Sequence, residues 1–171
     1  MPIKLITLLV LYLLRGEKMK IKEIMTKNVI FFSPEESIYE VAKKLRENKI
    51  SGAPVLRDGC IVGIISEADI MRFVESEEIY LSTILPSPFD VLELPIRMKL
   101  NLEKIMKKIQ KAGEAKVRNV MTEKVITINQ DEDVSKAAKI MREKKINRLP
   151  VVDEEGKLVG IVTRADLLKA L

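Results

Sequence analysis

The chain has 171 residues, of which 47% are hydrophobic and 32% charged, and a net charge of +5. That is the balance of an ordinary globular protein with room for one good core or two small ones. It contains no histidine and a single cysteine, Cys60, which excludes a Ser-His-Asp triad, a cysteine zinc cluster and an internal disulfide. Lys, Glu and Ile are abundant beside only two glutamines, Gln110 and Gln130, a bias that fits a heat-adapted intracellular protein.

Leu5 to Leu14 form an apolar run flanked by Lys4 and Arg15. It is too short to span a bilayer as a helix, and no small-x-small cleavage site follows it. Arg15-Gly16-Glu17-Lys18 can be encoded by a purine-rich stretch of the ribosome-binding type just ahead of Met19. Residues 1–18 are therefore read as an apolar extension that translation from Met19 would omit. Where present, they are expected to bury their apolar face on the rest of the chain or on a second copy.

Residues 19–76 read as strand, helix, strand, strand, helix. Val29 to Phe32 is a short apolar strand, and Ser37-Ile38-Tyr39-Glu40 has the spacing of a capping box that opens a helix. Ile38, Val41, Ala42 and Leu45 form one buried stripe along it. Ala53 to Leu56 and Ile61 to Ile65 are β-rich runs joined through Asp58-Gly59, a hairpin signal. Cys60, at the start of the second run, is taken as a small core residue. A helix follows near 67–75.

Residues 77–115 read as a connector. Pro86, Pro88 and Pro95 mark irregular chain. Leu102, Ile105, Met106 and Ile109 then form an apolar stripe expected to pack inward, and Gly113 is placed to end that helix. From Arg97 to Arg118 eight basic residues (Arg97, Lys99, Lys104, Lys107, Lys108, Lys111, Lys116, Arg118) stand against two acidic ones, Glu103 and Glu114. Such a patch can attract an anionic partner. The plainer reading, a solvated helix face, is the one favoured here.

Residues 116–171 repeat residues 19–76. Met25-Thr26 recurs as Met121-Thr122, Val29-Ile30 as Val125-Ile126, Ile50 as Ile146 and Pro54-Val55 as Pro150-Val151. Val62-Gly63-Ile64-Ile65-Ser66 and Asp69 recur as Val159-Gly160-Ile161-Val162-Thr163 and Asp166. The offset grows by one residue before the last group, near Glu154-Glu155. Val134, Ala137, Ala138 and Met141 repeat the helical stripe, and Leu149 to Val152 and Leu158 to Val162 repeat the strands around Gly156. The closing helix is near 164–171. Two copies are too few for a solenoid. They suggest two similar half-domains packed face to face, with a ligand between them.

Taken together and in order, Ile24-Met25-Thr26, Ile50-Ser51-Gly52-Ala53-Pro54-Val55, Gly63-Ile64-Ile65-Ser66-Glu67-Ala68-Asp69 and their second copies resemble the signature of the CBS domain, named for the regulatory part of cystathionine β-synthase. The resemblance covers about 20–75 and 116–171. It implies an α/β (α+β) fold in which two pseudo-symmetric β-α-β-β-α motifs pair into one Bateman module of the stand-alone archaeal or bacterial type. It also implies two clefts between the motifs, adenosine-containing regulatory ligands (AMP, ADP, ATP or S-adenosylmethionine) with no required cofactor or metal, and association into homodimers.

Ser66-Glu67-Ala68-Asp69 and Thr163-Arg164-Ala165-Asp166 have capping-box spacing in their own right. The same elements can also bind: a helix N-terminus suits phosphate, and a carboxylate one turn in can accept two hydrogen bonds from a ribose diol. By resemblance, one site combines Thr163, Asp166 and Arg148 with Thr26, Ile30, Ile50 and Ser51. The other combines Ser66 and Asp69 with Thr122, Ile126, Ile146 and Asn147. Apolar members would sandwich the base, although for Ile30 and Ile126 plain core packing is the alternative. Arg148, a planar fork of donors, is placed to meet a phosphate or else to sit in a local ion pair. Its counterpart in the first repeat is the uncharged Gly52. The Asp166 site is therefore expected to prefer the phosphorylated ligand.

The function implied is a cytoplasmic ligand sensor read by a separate effector protein, with no membrane span. One alternative is a nucleic-acid-binding accessory protein using 97–118, whose affinity would fall steeply with salt. That stretch has no aromatic residue to stack on bases and shows no helix-turn-helix or zinc spacing. Another is a purely structural dimerisation module. Catalysis is not expected: the chain has no Gly-x-Gly-x-x-Gly or Walker A sequence, and Asp69 and Asp166 lie in separate repeats.

Overall fold

The computed structural model describes residues 18–76, 106–107 and 109–170. The apolar extension up to residue 17, the connector prolines, Leu102, Ile105, Arg97, Lys99, Lys104 and Lys108 lie outside the described residues. In chain order the elements are α1 (Ile21–Ile24), α2 (Ile38–Glu47), β1 (Gly52–Arg57), β2 (Cys60–Ser66), α3 (Glu67–Ser76), a 3-10 turn (Val117–Asn119), β3 (Ile128–Asn129), α4 (Val134–Lys144), β4 (Arg148–Val152), β5 (Leu158–Thr163) and α5 (Arg164–Ala170). Residues 109–114 are also helical. One sheet has the order β1-β2 and the other β3-β4-β5, with β3 parallel to β4 and β4 antiparallel to β5. Helices and small sheets are mixed, as an α+β fold requires.

The chain divides into two compact units. Among the described residues the first comprises 18–31, 57–62 and 124–170, and the second 32–56, 63–76, 106–107 and 109–123.

In the first unit the three-stranded sheet packs its Leu149, Val151 and Val162 with Ala137 and Met141 of α4, Leu167 of α5, Ile128 and the fully buried Ile21 of α1. The α4 stripe is narrower than its spacing suggests. Ala137 and Met141 are buried and Val134 is half-buried, but Ala138 faces solvent. The amides of Ile21 and Lys22 donate to the carbonyls of Glu132 and Gln130, each at 2.9 Å, and tie the opening segment to the start of α4. The β4–β5 register shifts between Val151 and Val152. The turn that follows places Gly156 at φ 78, a left-handed conformation that suits glycine.

In the second unit Ser37 caps α2: its hydroxyl accepts from the Glu40 amide, and Glu40 reaches back to the Ser37 amide. Ile38, Val41 and Leu45 are buried and Ala42 is exposed. They pack in a core that also holds the buried Phe32, Ala53, Val55 and Ile65. At the β1–β2 turn, which belongs to the first unit, Asp58 and Gly59 both have positive φ, 51 and 80, the pairing that a type I′ hairpin turn demands.

Four expectations need correction. Val29 to Phe32 does not form a strand. Only Phe32 bridges, parallel to Val55, because Pro34 has no amide to extend the ladder and the Val29 amide is spent on the Lys27 carbonyl at 3.0 Å. Cys60 is exposed, not core; it directly follows the hairpin turn, where the chain is at the surface. Gly113 does not end its helix, which runs to residue 114. The end is set instead by docking, where the Ala115 carbonyl accepts from the Ile38 amide at 2.9 Å. Of the connector stripe, Met106 and Ile109 are exposed at 63% and 46%, while Ala112 is the buried face.

Candidate functional site

Each Ser/Thr-x-x-Asp element lies at a strand that passes directly into a helix, β2 into α3 and β5 into α5. The last strand residue and the helix carboxylate cap one another. The Ser66 amide and hydroxyl donate to Asp69 Oδ2 at 2.8 and 2.5 Å, and the Asp69 amide donates back to the hydroxyl at 3.4 Å. In the second repeat the corresponding distances for Thr163 and Asp166 are 2.9, 2.6 and 3.3 Å. A further helix-start amide is satisfied by the strand entry: Glu67 donates to the Ser51 carbonyl at 3.1 Å and Arg164 to the Asn147 carbonyl at 3.0 Å. The capping reading thus holds in both repeats.

The Met-Thr pair of each repeat docks on the strand of the other. Thr26 exchanges both backbone hydrogen bonds with Ile161, each at 2.9 Å, and Thr122 does so with Ile64 at 2.9 and 3.0 Å. The adjoining methionine lies on a glycine. A Cβ built on Gly160 would come within 3.0 Å of Met25 Cγ, and one on Gly63 within 3.0 Å of Met121 Cγ. Both motifs therefore need glycine for close approach. This couples two sequence signals that the repeat keeps far apart, and it sets Thr26 beside the strand that ends in Thr163.

Of the expected site residues, Thr26, Ile30, Ile126, Ile146, Asn147, Arg148, Thr163 and Asp166 belong to the first unit. Ile50, Ser51, Ser66, Asp69 and Thr122 belong to the second. In the first, half-buried Arg148 is the register partner of Thr163, so it stands at the β4 edge of the capped turn. Ile126 and Ile146 are half-buried against the sheet core. Ile30 is half-buried and Thr26 exposed. In the second unit Ile50 is half-buried, and its amide donates to the Leu45 carbonyl at 3.0 Å. There the Thr122 hydroxyl donates to Asp69 Oδ1 at 3.3 Å, joining three of the expected residues, Ser66, Asp69 and Thr122.

One contributor was not singled out from the sequence. Arg72 donates through Nη2 to Asp69 Oδ1 in a close ion pair. The signal was its position three residues after Asp69, which puts both on one helix face. Asp69 is 7% exposed and Asp166 is half-buried. Among the described residues nothing donates to Asp166 Oδ1, no cluster of three or more Cys, Asp or Glu side chains could hold a metal ion, and no helix is long and apolar enough to cross a membrane.

Two copies of a strand-to-helix turn, each completed by the opening segment of the other copy, define a paired-motif module. The profile of the CBS domain matches residues 21–76 and 117–171, and the chain belongs to the CBS domain family as a tandem pair. It is 48% identical over 159 residues to an uncharacterized protein of Methanocaldococcus jannaschii, an alignment covering 92% of this chain and 94% of that one. Among solved structures it is similar to an Arabidopsis thaliana CBS-pair protein in complex with AMP, at 26% identity and a TM-score of 0.62 over 88% of this chain and 94% of that one. It is also similar to a CBS domain pair in complex with 5′-methylthioadenosine and S-adenosyl-L-methionine, at 27% identity and a TM-score of 0.61 over 89% and 94%.

Proposed function

We propose that this protein is a regulatory sensor for adenosine-containing ligands and carries out no reaction of its own. The observation that carries the reading is the state of Asp166. One oxygen closes the first turn of α5 through Thr163, and the other accepts no hydrogen bond among the described residues. An ionised carboxylate oxygen of this kind suits the two hydroxyls of a ribose. Thr163 stands at the start of a helix, where developing or fixed negative charge is favoured, and Arg148 is its neighbour across the sheet. These residues, with Thr26 and Ile30, make the Asp166 element the one suited to a phosphorylated ligand. Ser66, Asp69 and Thr122 make a second, weaker element.

The ligands of the two solved relatives, AMP in one and 5′-methylthioadenosine with S-adenosyl-L-methionine in the other, support the class of compound. The protein works as a cytoplasmic homodimer, and a separate effector reads the change that binding makes.

Calorimetric titration with AMP, ADP, ATP, S-adenosylmethionine and methylthioadenosine tests this. Asp166→Ala is expected to weaken binding by about 10- to 100-fold, the range for hydrogen bonds to a charged group, and Asp69→Ala by less. If none of the five compounds bound folded wild-type protein, the carboxylates would be helix caps alone and the sensor reading would fall.

A further inference from the structure

The two carboxylates have matching sequence settings but different existing partners. An ionised carboxylate offers about four lone-pair sites, two on each oxygen. In both repeats Oδ2 is filled by the amide and hydroxyl of the preceding strand residue. On Asp69 the second oxygen is filled as well, by the Arg72 guanidinium and the Thr122 hydroxyl. Asp166 differs on both counts: its Oδ1 accepts from neither Thr26, the counterpart of Thr122, nor any other described residue. The residue three positions on is Lys169, which is exposed and forms no ion pair with Asp166. A vicinal diol brings two O–H donors and needs two open lone pairs. Asp166 has them; Asp69 has none.

We propose that Arg72 is a built-in competitor of the ligand: with the long hydrogen bond from Thr122 beside it, it keeps Asp69 closed to a ribose diol, so that an adenosine-type ligand fills the Asp166 element first and reaches Asp69 only by displacing the guanidinium and turning the Thr122 hydroxyl aside. This rests on the adenosine reading above. The exposures suit an exchangeable lock. The Arg72 side chain is 67% exposed and that of Asp69 8%. Arg72 can swing into water without opening a hole in the core. Asp69 Oδ1 then keeps only the 3.3 Å hydrogen bond from Thr122 and, in its buried setting, favours a replacement donor, which the hydroxyls of a ribose can supply. The lock also makes the two elements respond at different ligand concentrations, which widens the range over which the module senses.

The test is calorimetry with adenosine and with AMP on wild type, Arg72→Ala, Asp166→Asn and Arg72→Ala/Asp166→Asn, with folding checked by circular dichroism. The asparagine keeps a capping oxygen at the helix start. Wild type should take up one equivalent, lost in Asp166→Asn. Arg72→Ala should take up a second equivalent, with affinity at Asp69 raised about tenfold or more, as expected for removing a charge-assisted hydrogen bond that competes. The double variant should retain that equivalent, and adding Asp69→Asn should abolish it. If Arg72→Ala still binds one equivalent, or binds more weakly, while Asp166→Asn abolishes binding, the lock is overturned and the adenosine reading stands. Two equivalents of equal affinity in wild type overturn the lock as well. No binding by any variant removes the adenosine reading and the lock with it.

Discussion

Gly160→Ala tests how the two repeats are joined. A Cβ at this position would lie 2.5 Å from Met25 Sδ, 3.0 Å from Met25 Cγ and 3.2 Å from the Thr26 carbonyl oxygen. The methionine is flexible and can withdraw. The carbonyl is held, because it accepts from the Ile161 amide at 2.9 Å. Overpacking of this kind costs about 1–3 kcal/mol. At about 2–4 °C per kcal/mol for a chain of this size, the midpoint of thermal unfolding should fall by roughly 2–12 °C. Gly63→Ala should sit at the mild end, since its three nearest atoms all belong to the Met121 side chain. Unfolding followed by circular dichroism in heat and urea gives both numbers. Met25→Ala in the Gly160→Ala background should recover part of the loss, with a coupling of about 0.5–3 kcal/mol in the double-mutant cycle. A Gly160→Ala protein as stable as wild type, or strictly additive effects with Met25→Ala, would refute the docking of Met25 on Gly160.

Two further outcomes are expected. The Asp133 carboxyl is held below the usual range, first by the hydrogen bond from Lys20 at 2.8 Å and then by Lys20 and Lys18 charge, while that bond raises Lys20. A carboxylate depressed in the folded state stabilises the fold above its unfolded value, near pH 4, and the contribution is lost as pH falls through the lower folded value. The urea midpoint should therefore decline below about pH 4, and Asp133→Asn should flatten that decline; an unchanged slope in the variant counts against the pair. Phe31 and Phe32 are neighbours in sequence, with Phe32 fully buried and Phe31 54% exposed. In urea denaturation Phe32→Ala should cost about 3–5 kcal/mol and Phe31→Ala no more than about 0.5 kcal/mol, and equal costs would contradict the packing of the second unit.

What could be read from the sequence follows from the range of each interaction. The capping boxes at Ser37, Ser66 and Thr163 and the Asp58-Gly59 turn are determined within four residues by hydrogen bonding and allowed φ. The residue pattern alone therefore placed the helix starts, the hairpin and the two carboxylates. The repeat added the strand-helix order of the second half. Other features depended on partners far along the chain. Val29 to Phe32 has the composition of a strand, yet only Phe32 finds a strand to pair with. Met106 and Ile109 have the spacing of a buried stripe, yet Ala112 is the residue that faces the core. Hydrophobic spacing says that one helix face is apolar, not which surface will cover it.

The candidate site divides in the same way. Ser66, Asp69, Thr163 and Asp166 were marked by their own spacing, since the strand-to-helix turn is a local structure. The tertiary structure alone put Met25-Thr26 on Gly160-Ile161 and Met121-Thr122 on Gly63-Ile64. It alone brought Thr122 to the Asp69 carboxylate, which Arg72 reaches from three residues along α3, while the matching oxygen of Asp166 receives no donor among the described residues. A hydrogen bond is decided by distance and direction to within a fraction of an ångström. Two nearly identical sequence elements can therefore differ in what already occupies them, and that difference is set by the packing around each carboxylate.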